Sequence, residues 1–258
     1  MAMSERSVVL GLYRSLLAYT KSASLRHAWT HVVPPSFKAT LCGVNDVGHC
    51  AKFATADAKG AMDLIRSSFR QSQDLPAGSP TIVTAIDRGL EALRVFNALR
   101  AVVSLREERL DSSVARHQVG TVIQHRRYGY KGLIFGWDPT CQRPKSWVEK
   151  NRVDDLEHGA NQVFYHVLPD ESDGQPRNEM YVAQDNIVEM PLVQIYSRSQ
   201  SRLFPKGYSK GLDRYIPSQT LRYIFPGTSC DDEDEELVPN ERIEKECKEN
   251  WKARLVTI

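Results

Sequence analysis

The side chains of this 258-residue chain best suited to chemistry are two histidines, an aspartate and a few runs of cations. His125 ends the run VGTVIQH and His166 falls inside the apolar run FYHVL, with Asp138 between them in sequence. Such a set moves protons only when a partner and a shaped pocket accompany it. No nucleophile motif and no phosphate-binding loop is present, and His166, inside FYHVL, has the setting of a hydrogen-bonded structural histidine. The chain is therefore expected to be non-enzymatic, with no catalytic residue. Cys42, His49 and Cys50 gather in sequence, but four ligands at metal-binding spacing are lacking. The five cysteines are scattered and form no C-x-x-C pair, which points to a reducing compartment. No metal and no cofactor of its own is expected.

Two cationic runs remain. In HQVGTVIQHRRYGYK, Arg126, Arg127 and Lys131 alternate with Tyr128 and Tyr130, a pattern that can sit on phosphates and stack on bases. The same residues also read as a charged hairpin whose aromatics pin the turn. Together with His125, Trp137, Tyr165 and His166 they are read as a protein-binding surface, with Trp137 and Tyr165 assigned to the core. Nearer the N-terminus, Lys59, Arg66 and Arg70 form a stripe beside Ala58, Met62, Ile65 and Phe69, which gives an apolar groove with a cationic rim.

The elements that position these residues follow from periodicity. A first helix is expected at about 4–21, with Val8, Val9, Leu12, Tyr13, Leu16 and Leu17 on one arc and Arg14 at its edge, where its stem packs and its head reaches outward. A second is expected at about 56–73. A third starts at Ser79-Pro80 and runs toward Leu110, with Ser79 as cap and proline at the first helical position. Residues 22–55 read as a long insert, a loop with a short helix. From Val114 the texture turns to short β-rich runs. VGTVIQH and KGLIFGW flank a turn, VFYHVL and MYVA flank a polar loop, and NIVEM closes the set. Leu133, Phe135 and Trp137 are expected on one strand face. Five short strands in about seventy residues favour a small antiparallel barrel. The last segment carries the acidic block CDDEDEE. A helix with Ile243, Cys247, Trp251 and Leu255 every four residues comes after it, expected to fold back on the rest of the chain. The net charge of +2 is unevenly spread, at +5 for 1–116, +2 for 117–226 and −5 for 227–258. No membrane-spanning run and no secretory pattern is seen.

LYRSLL, then IRSSFRQSQDL in a second helix and ALRVF in a third, resemble the LYR-motif proteins of mitochondria over about residues 5–105, interrupted by the insert. That resemblance implies a three-helix bundle that binds the mitochondrial acyl carrier protein. Leu12, Tyr13 and Phe69 would meet its phosphopantetheine-linked acyl chain, and Arg14, Lys59, Arg66 and Arg70 its acidic surface. HRRYGYKGLIFGWDPTC, QVFYHVLPD and YVAQDNI resemble the hemimethylated-DNA-binding, or YccV-like, family over about 117–190. Val163 stands where proline is usual, and Gln184-Asp185 where glutamates are usual. RLFPKGYSKGLDRYIPSQTLRYIFPG is similar to the segment C-terminal to this domain in F-box-linked relatives. The family implies an SH3-like barrel and either DNA binding or a role as adaptor to a protease or ubiquitin ligase.

The expected architecture is thus α+β and multidomain. It comprises an LYR-type bundle at 1–112, a YccV-like barrel at 113–192, an extension at 193–228, and an acidic linker with a C-terminal helix at 229–258. The expected function is that of a mitochondrial (matrix-side) adaptor, accessory subunit or assembly factor, with plastid or cytoplasm as the alternative setting. Acyl carrier protein would be one partner, and a larger mitochondrial complex or protease client the other. The rival reading is a DNA-binding protein acting through His125, Arg126, Arg127, Tyr128, Tyr130, Lys131 and His166.

Overall fold

The computed structural model of the chain describes residues 5–32, 58–71, 74, 76, 78–228 and 236–255. The chain divides into two compact units, Met1–Glu107 and Glu108–Ile258. No described helix is long and apolar enough to cross a membrane.

The described residues of the first unit form four helices, α1 (Glu5–Thr20), α2 (Ala23–Val32), α3 (Ala58–Gln71) and α4 (Pro80–Glu107). Three of them fall where the three bundle helices were expected, and α2 falls in the insert, where a short helix was expected. The start of the insert is a full helix, and the Ser22 hydroxyl accepts from the Leu25 N–H at 3.3 Å, capping it. The predicted start of α4 is also seen, with Ser79 Oγ accepting from the Ile82 N–H at 3.4 Å ahead of Pro80. Along α1, Leu12 and Leu16 are buried four residues apart on one face. Leu12 lies against Gly89 of α4 so closely that a Cβ on Gly89 would stand 2.3 Å from Leu12 Cδ2. The glycine is what lets the two helices approach. Near the other end of α1, the Tyr19 ring stacks on Phe96 with centroids 5.2 Å apart, and its hydroxyl donates to Asn97. Asn97 thus ties α1 to α4.

The second unit is built on five strands: β1 (Val122–His125), β2 (Lys131–Asp138), β3 (Phe164–Pro169), β4 (Met180–Ala183) and β5 (Ile187–Glu189). All neighbours are antiparallel and the order is β4-β3-β2-β1-β5. The sheet is not closed into a barrel, because β4 and β5 remain its two edges. It is nevertheless strongly curled. Only a three-residue 3-10 turn, Gln184–Asn186, joins those opposite edges. Four residue steps reach about 14 Å at full extension, whereas four strand spacings in a flat sheet cover about 19 Å. Strand number alone implied closure; the missing ladder between the edges is what keeps the sheet open. A register shift between Ile134 and Gly136 also breaks the simple alternation of β2. Leu133, Ile134 and Trp137 are all buried and Phe135 only half so.

The remainder of this unit folds onto the sheet. Helices α5 (Lys145–Lys150), α6 (Gln200–Leu203) and α7 (Gln219–Ile224) and strands β6 (Tyr208–Ser209), β7 (Arg214–Tyr215) and β8 (Leu237–Val238) precede the terminal helix α8 (Asn240–Leu255). A second sheet has the order β7-β6-β8. One core joins Ile123, Leu133 and Tyr165 of the first sheet to Phe204, Tyr215 and Ile243 of these later elements. Ile243 is fully buried and Cys247 packs beside it, so α8 does fold back. Gly120 links the two layers. Its N–H donates to Ile134 O at 2.9 Å, and its carbonyl accepts from Tyr215 N at 2.8 Å. At φ 99° and with Tyr215 O only 2.2 Å from where a Cβ would stand, no other residue fits.

Candidate functional site

The end of β2 carries the densest polar chemistry described. Asp138 is 7% exposed, and both its oxygens are engaged. Oδ1 accepts from Arg109 Nη2 at 2.5 Å; Oδ2 accepts from His166 Nε2 at 3.0 Å and from the Tyr181 hydroxyl at 2.8 Å. Arg109, buried, also donates through Nε to Trp137 O at 2.7 Å, and its guanidinium carbon lies 5.9 Å from the Trp137 ring and 5.6 Å from that of Phe225. Burial pushes the Asp138 carboxyl toward its neutral form. The hydrogen bonds from His166 and Tyr181 and the charges of His166 and Arg109 outweigh it and hold the group below its ordinary 3.8. The Tyr181 hydroxyl is moved the other way, well above its ordinary value, by burial first and then by the Asp138 carboxylate.

The strand register explains the grouping. His166 of β3 pairs with Gly136 on one side and Tyr181 of β4 on the other. Gly136 carries no side chain, and Phe225 takes the space, 2.9 Å from where its Cβ would be. Above the buried carboxylate runs a row of half-buried aromatics. Phe135 lies 5.7 Å from His166, His166 lies 5.0 Å from Tyr181, and Tyr181 lies 5.7 Å from Trp147 of α5. The exposed Arg143 guanidinium stands 4.9 Å from the Tyr181 ring centre. Rigid aromatics with a cation, half open to solvent, are the make-up of a protein-contact surface. Sequence reading named His166 but missed Arg109, Phe135, Trp147 and Tyr181 as its companions. Only the β3–β4 pairing, with Tyr181 directly opposite His166, could have revealed the last of these.

His125 is placed differently from the sequence expectation. It is 5% exposed, and its ring lies behind the β1–β2 turn. Nδ1 accepts from the N–H groups of Arg127 at 3.1 Å and Tyr128 at 3.2 Å, while the ring packs on Tyr128 and Tyr130. Burial, then the Arg127 charge, lowers its pKa from the ordinary 6.5. His125 therefore holds the turn from within and does not face a partner. Trp137 and Tyr165 are buried, as expected. The turn itself exposes Arg126, Arg127 and Tyr128, the last at 67%, with Arg127 over the Tyr128 ring. Tyr130 and Lys131 are half-buried; Tyr130 packs on the core, which pushes its hydroxyl up to about 12 through burial and then Tyr128.

In the first unit, Tyr13 and Phe69 meet across α1 and α3 with ring centroids 4.9 Å apart. Arg66 pairs with Asp63 at 3.1 Å and also interacts with the Tyr13 hydroxyl; both hold its guanidinium above its ordinary value. Arg14 and Arg70 are exposed, Leu12 is buried against Gly89, and Lys59 falls in the first turn of α3 with its side chain outside the described residues. Cys42, His49 and Cys50 also lie outside the described residues. Among the described residues, Glu157, His158 and Asp185 bring possible ligand atoms within 4.8 Å of one another. There the Asp185 carboxylate binds His158 at 2.9 Å and Gln162 at 2.9 Å, joining two loops.

Residues 115–211 match the family model described as hemimethylated DNA-binding protein YccV like. Over 125 residues the chain is 42% identical to F-box only protein 21 of Mus musculus, and 40% identical to the proteins of that name from Pongo abelii and Homo sapiens. The aligned stretch is 48% of this chain but 18% of the mouse and human proteins and 19% of the orangutan one, so the chain spans under a fifth of these relatives. No solved structure matches. The chain thus carries a YccV-like domain at residues 115–211.

Proposed function

We propose that this chain is a non-enzymatic adaptor with two binding parts. The YccV-like unit takes a protein partner on the row Phe135, His166, Tyr181 and Trp147. The observation that carries this reading is the anchoring of that row. Asp138 fixes both His166 and Tyr181 from beneath, so their exposed edges are presented without a large loss of side-chain freedom on binding. Similarity to F-box only proteins supports an adaptor-like role. The helical unit is proposed to take acyl carrier protein in the mitochondrial matrix, as an accessory subunit, assembly factor or protease adaptor would. Arg14, Lys59, Arg66 and Arg70 meet the carrier's acidic surface, and its phosphopantetheine-linked acyl chain enters by parting Tyr13 from Phe69. Plastid and cytoplasm are the alternative settings.

A second reading is DNA binding at the β1–β2 turn. It is favoured by the exposure of Arg126, Arg127 and Tyr128 and by the family's description. One experiment separates the two. Photo-reactive residues placed at 135 and at 128, in the chain within its own cells, capture what each surface touches. Protein adducts at 135 without nucleic-acid adducts at 128 support the adaptor; nucleic acid captured at 128 and nothing at 135 overturns it. For the helical unit, purified acyl carrier protein should form a complex that the double variant Arg66→Glu, Arg70→Glu loses while keeping its helical content. A complex that survives both reversals removes the carrier reading.

A further inference from the structure

Arg143 is fixed in place, yet its hydrogen-bonding capacity is unspent. It precedes α5 in the chain and is exposed, and its guanidinium carbon stands 4.9 Å from the Tyr181 ring centre. The buried Phe164 stacks on the same ring, 5.1 Å away and 22° from parallel. A guanidinium laid over a ring keeps its N–H edge clear, and that planar fork matches a carboxylate. Among the described residues no group accepts a hydrogen bond from it.

A second cation stands at the same end of the aromatic row. Lys150 follows Trp147 by three positions in α5 and so shares its face; it is exposed and pairs with no carboxylate among the described residues. Glu149, the acidic residue of α5, lies two positions from Trp147 and off that face. Asp138, beneath the row, is already taken by Arg109, His166 and Tyr181. Apolar rings therefore adjoin two cations that no described carboxylate offsets. The rings suit a peptide better than nucleic acid. Neighbours along the row are inclined by 51°, 51° and 67°, whereas successive bases need faces to stack on. The face of Tyr181 is already covered by Arg143 and Phe164.

We infer that the segment bound on this row is an acidic peptide stretch, with an apolar side chain on the rings and Asp or Glu side chains on Arg143 and Lys150. The inference rests on the adaptor reading and makes Arg143 the residue that selects among partners, through charge complementarity. Random short peptides displayed on phage, selected on the full purified chain, test it. Those that crosslink to a photo-reactive residue at 135 should be rich in Asp and Glu beside an apolar residue. Arg143→Glu and Lys150→Glu, both changes at exposed positions, should each weaken these peptides by at least about tenfold without moving the thermal midpoint. Arg143→Lys, which keeps the charge and loses the fork, should weaken them less than Arg143→Glu. Row-bound peptides without an acidic bias, or acidic ones that bind Arg143→Glu unchanged, overturn the inference and leave the adaptor reading standing. Crosslinking of oligothymidylate at 135 that Arg143→Glu abolishes overturns it in favour of nucleic acid. No peptide at 135 and no protein adduct there in cells takes down both.

Discussion

His166 Nε2 stands 3.0 Å from Asp138 Oδ2, at a carboxylate whose other oxygen is held by the buried Arg109. A half-exposed imidazole is thereby fixed by a charge pair that the solvent hardly reaches. The arrangement couples the surface row to the stability of the domain.

Removing one member of that pair should expose the coupling. Asp138→Ala leaves the buried Arg109 guanidinium with only the exposed Glu108 carboxylate, 3.2 Å from Nη1, and should cost about 3 kcal/mol. The double variant Arg109→Met, Asp138→Leu should cost clearly less than the sum of the single changes. Urea unfolding of the four proteins checks this. The pH dependence has a definite sign. Because the folded carboxyl lies below its ordinary 3.8, its contribution is complete above that value and is lost as pH falls through the lower folded one.

The turn should respond to milder acid. His125 is favoured neutral in the fold, so its contribution is complete above about pH 6.5 and declines as pH falls from there toward the lower folded value. Protonation also removes the Nδ1 acceptor for the Arg127 and Tyr128 amides. Amide exchange at those two residues should accelerate in acid relative to Ile123 and Leu133, and His125→Ala should abolish the pH dependence of that difference.

Two glycines with left-handed backbones should differ sharply. Gly129→Ala meets only the end of the Gln124 side chain, at 4.0 Å, and should cost the left-handed penalty of about 1–2 kcal/mol. Gly120→Ala adds a collision with the Tyr215 carbonyl and should cost well beyond about 2 kcal/mol. Chemical denaturation of the pair measures the difference.

Cys247 reports on α8. Burial first, then the carboxylates of Asp170 and Glu246, push its thiol up to about 11, so at neutral pH it should resist alkylation while the helix is docked. Ile243→Ala, costing about 2–5 kcal/mol, should speed alkylation of Cys247, measured by mass spectrometry of the peptide.

Local patterns were readable where one signal sufficed. Ser79-Pro80 marked the start of α4, and the β-rich runs around RRYGY marked the β1–β2 hairpin. The face of Ile243 and Cys247 marked a helix that needed a cover. What was hidden depends on residues far apart in the chain. Arg109 and Asp138 are 29 positions apart and carry no shared motif. Helix α2 falls where the insert was read as a loop with a short helix, but its prolines and mixed polarity gave that helix no bounds. The open sheet was misjudged as a barrel because five strands fix neither the ladder nor the gap between edges. His125 looked like a surface residue because alternation cannot tell a solvent face from the inside of a tight turn.

Strand β8 reaches β6 from beyond the acidic block, pairing Val238 with Tyr208 and Leu237 with Ser209. A fragment ending at residue 211, where the family match stops, would bare a strand edge and leave a hole the size of Ile243 in its interior. Such a piece should clump rather than fold. The core of this unit therefore extends beyond the residues that the family model matches, with β8 and α8 completing it.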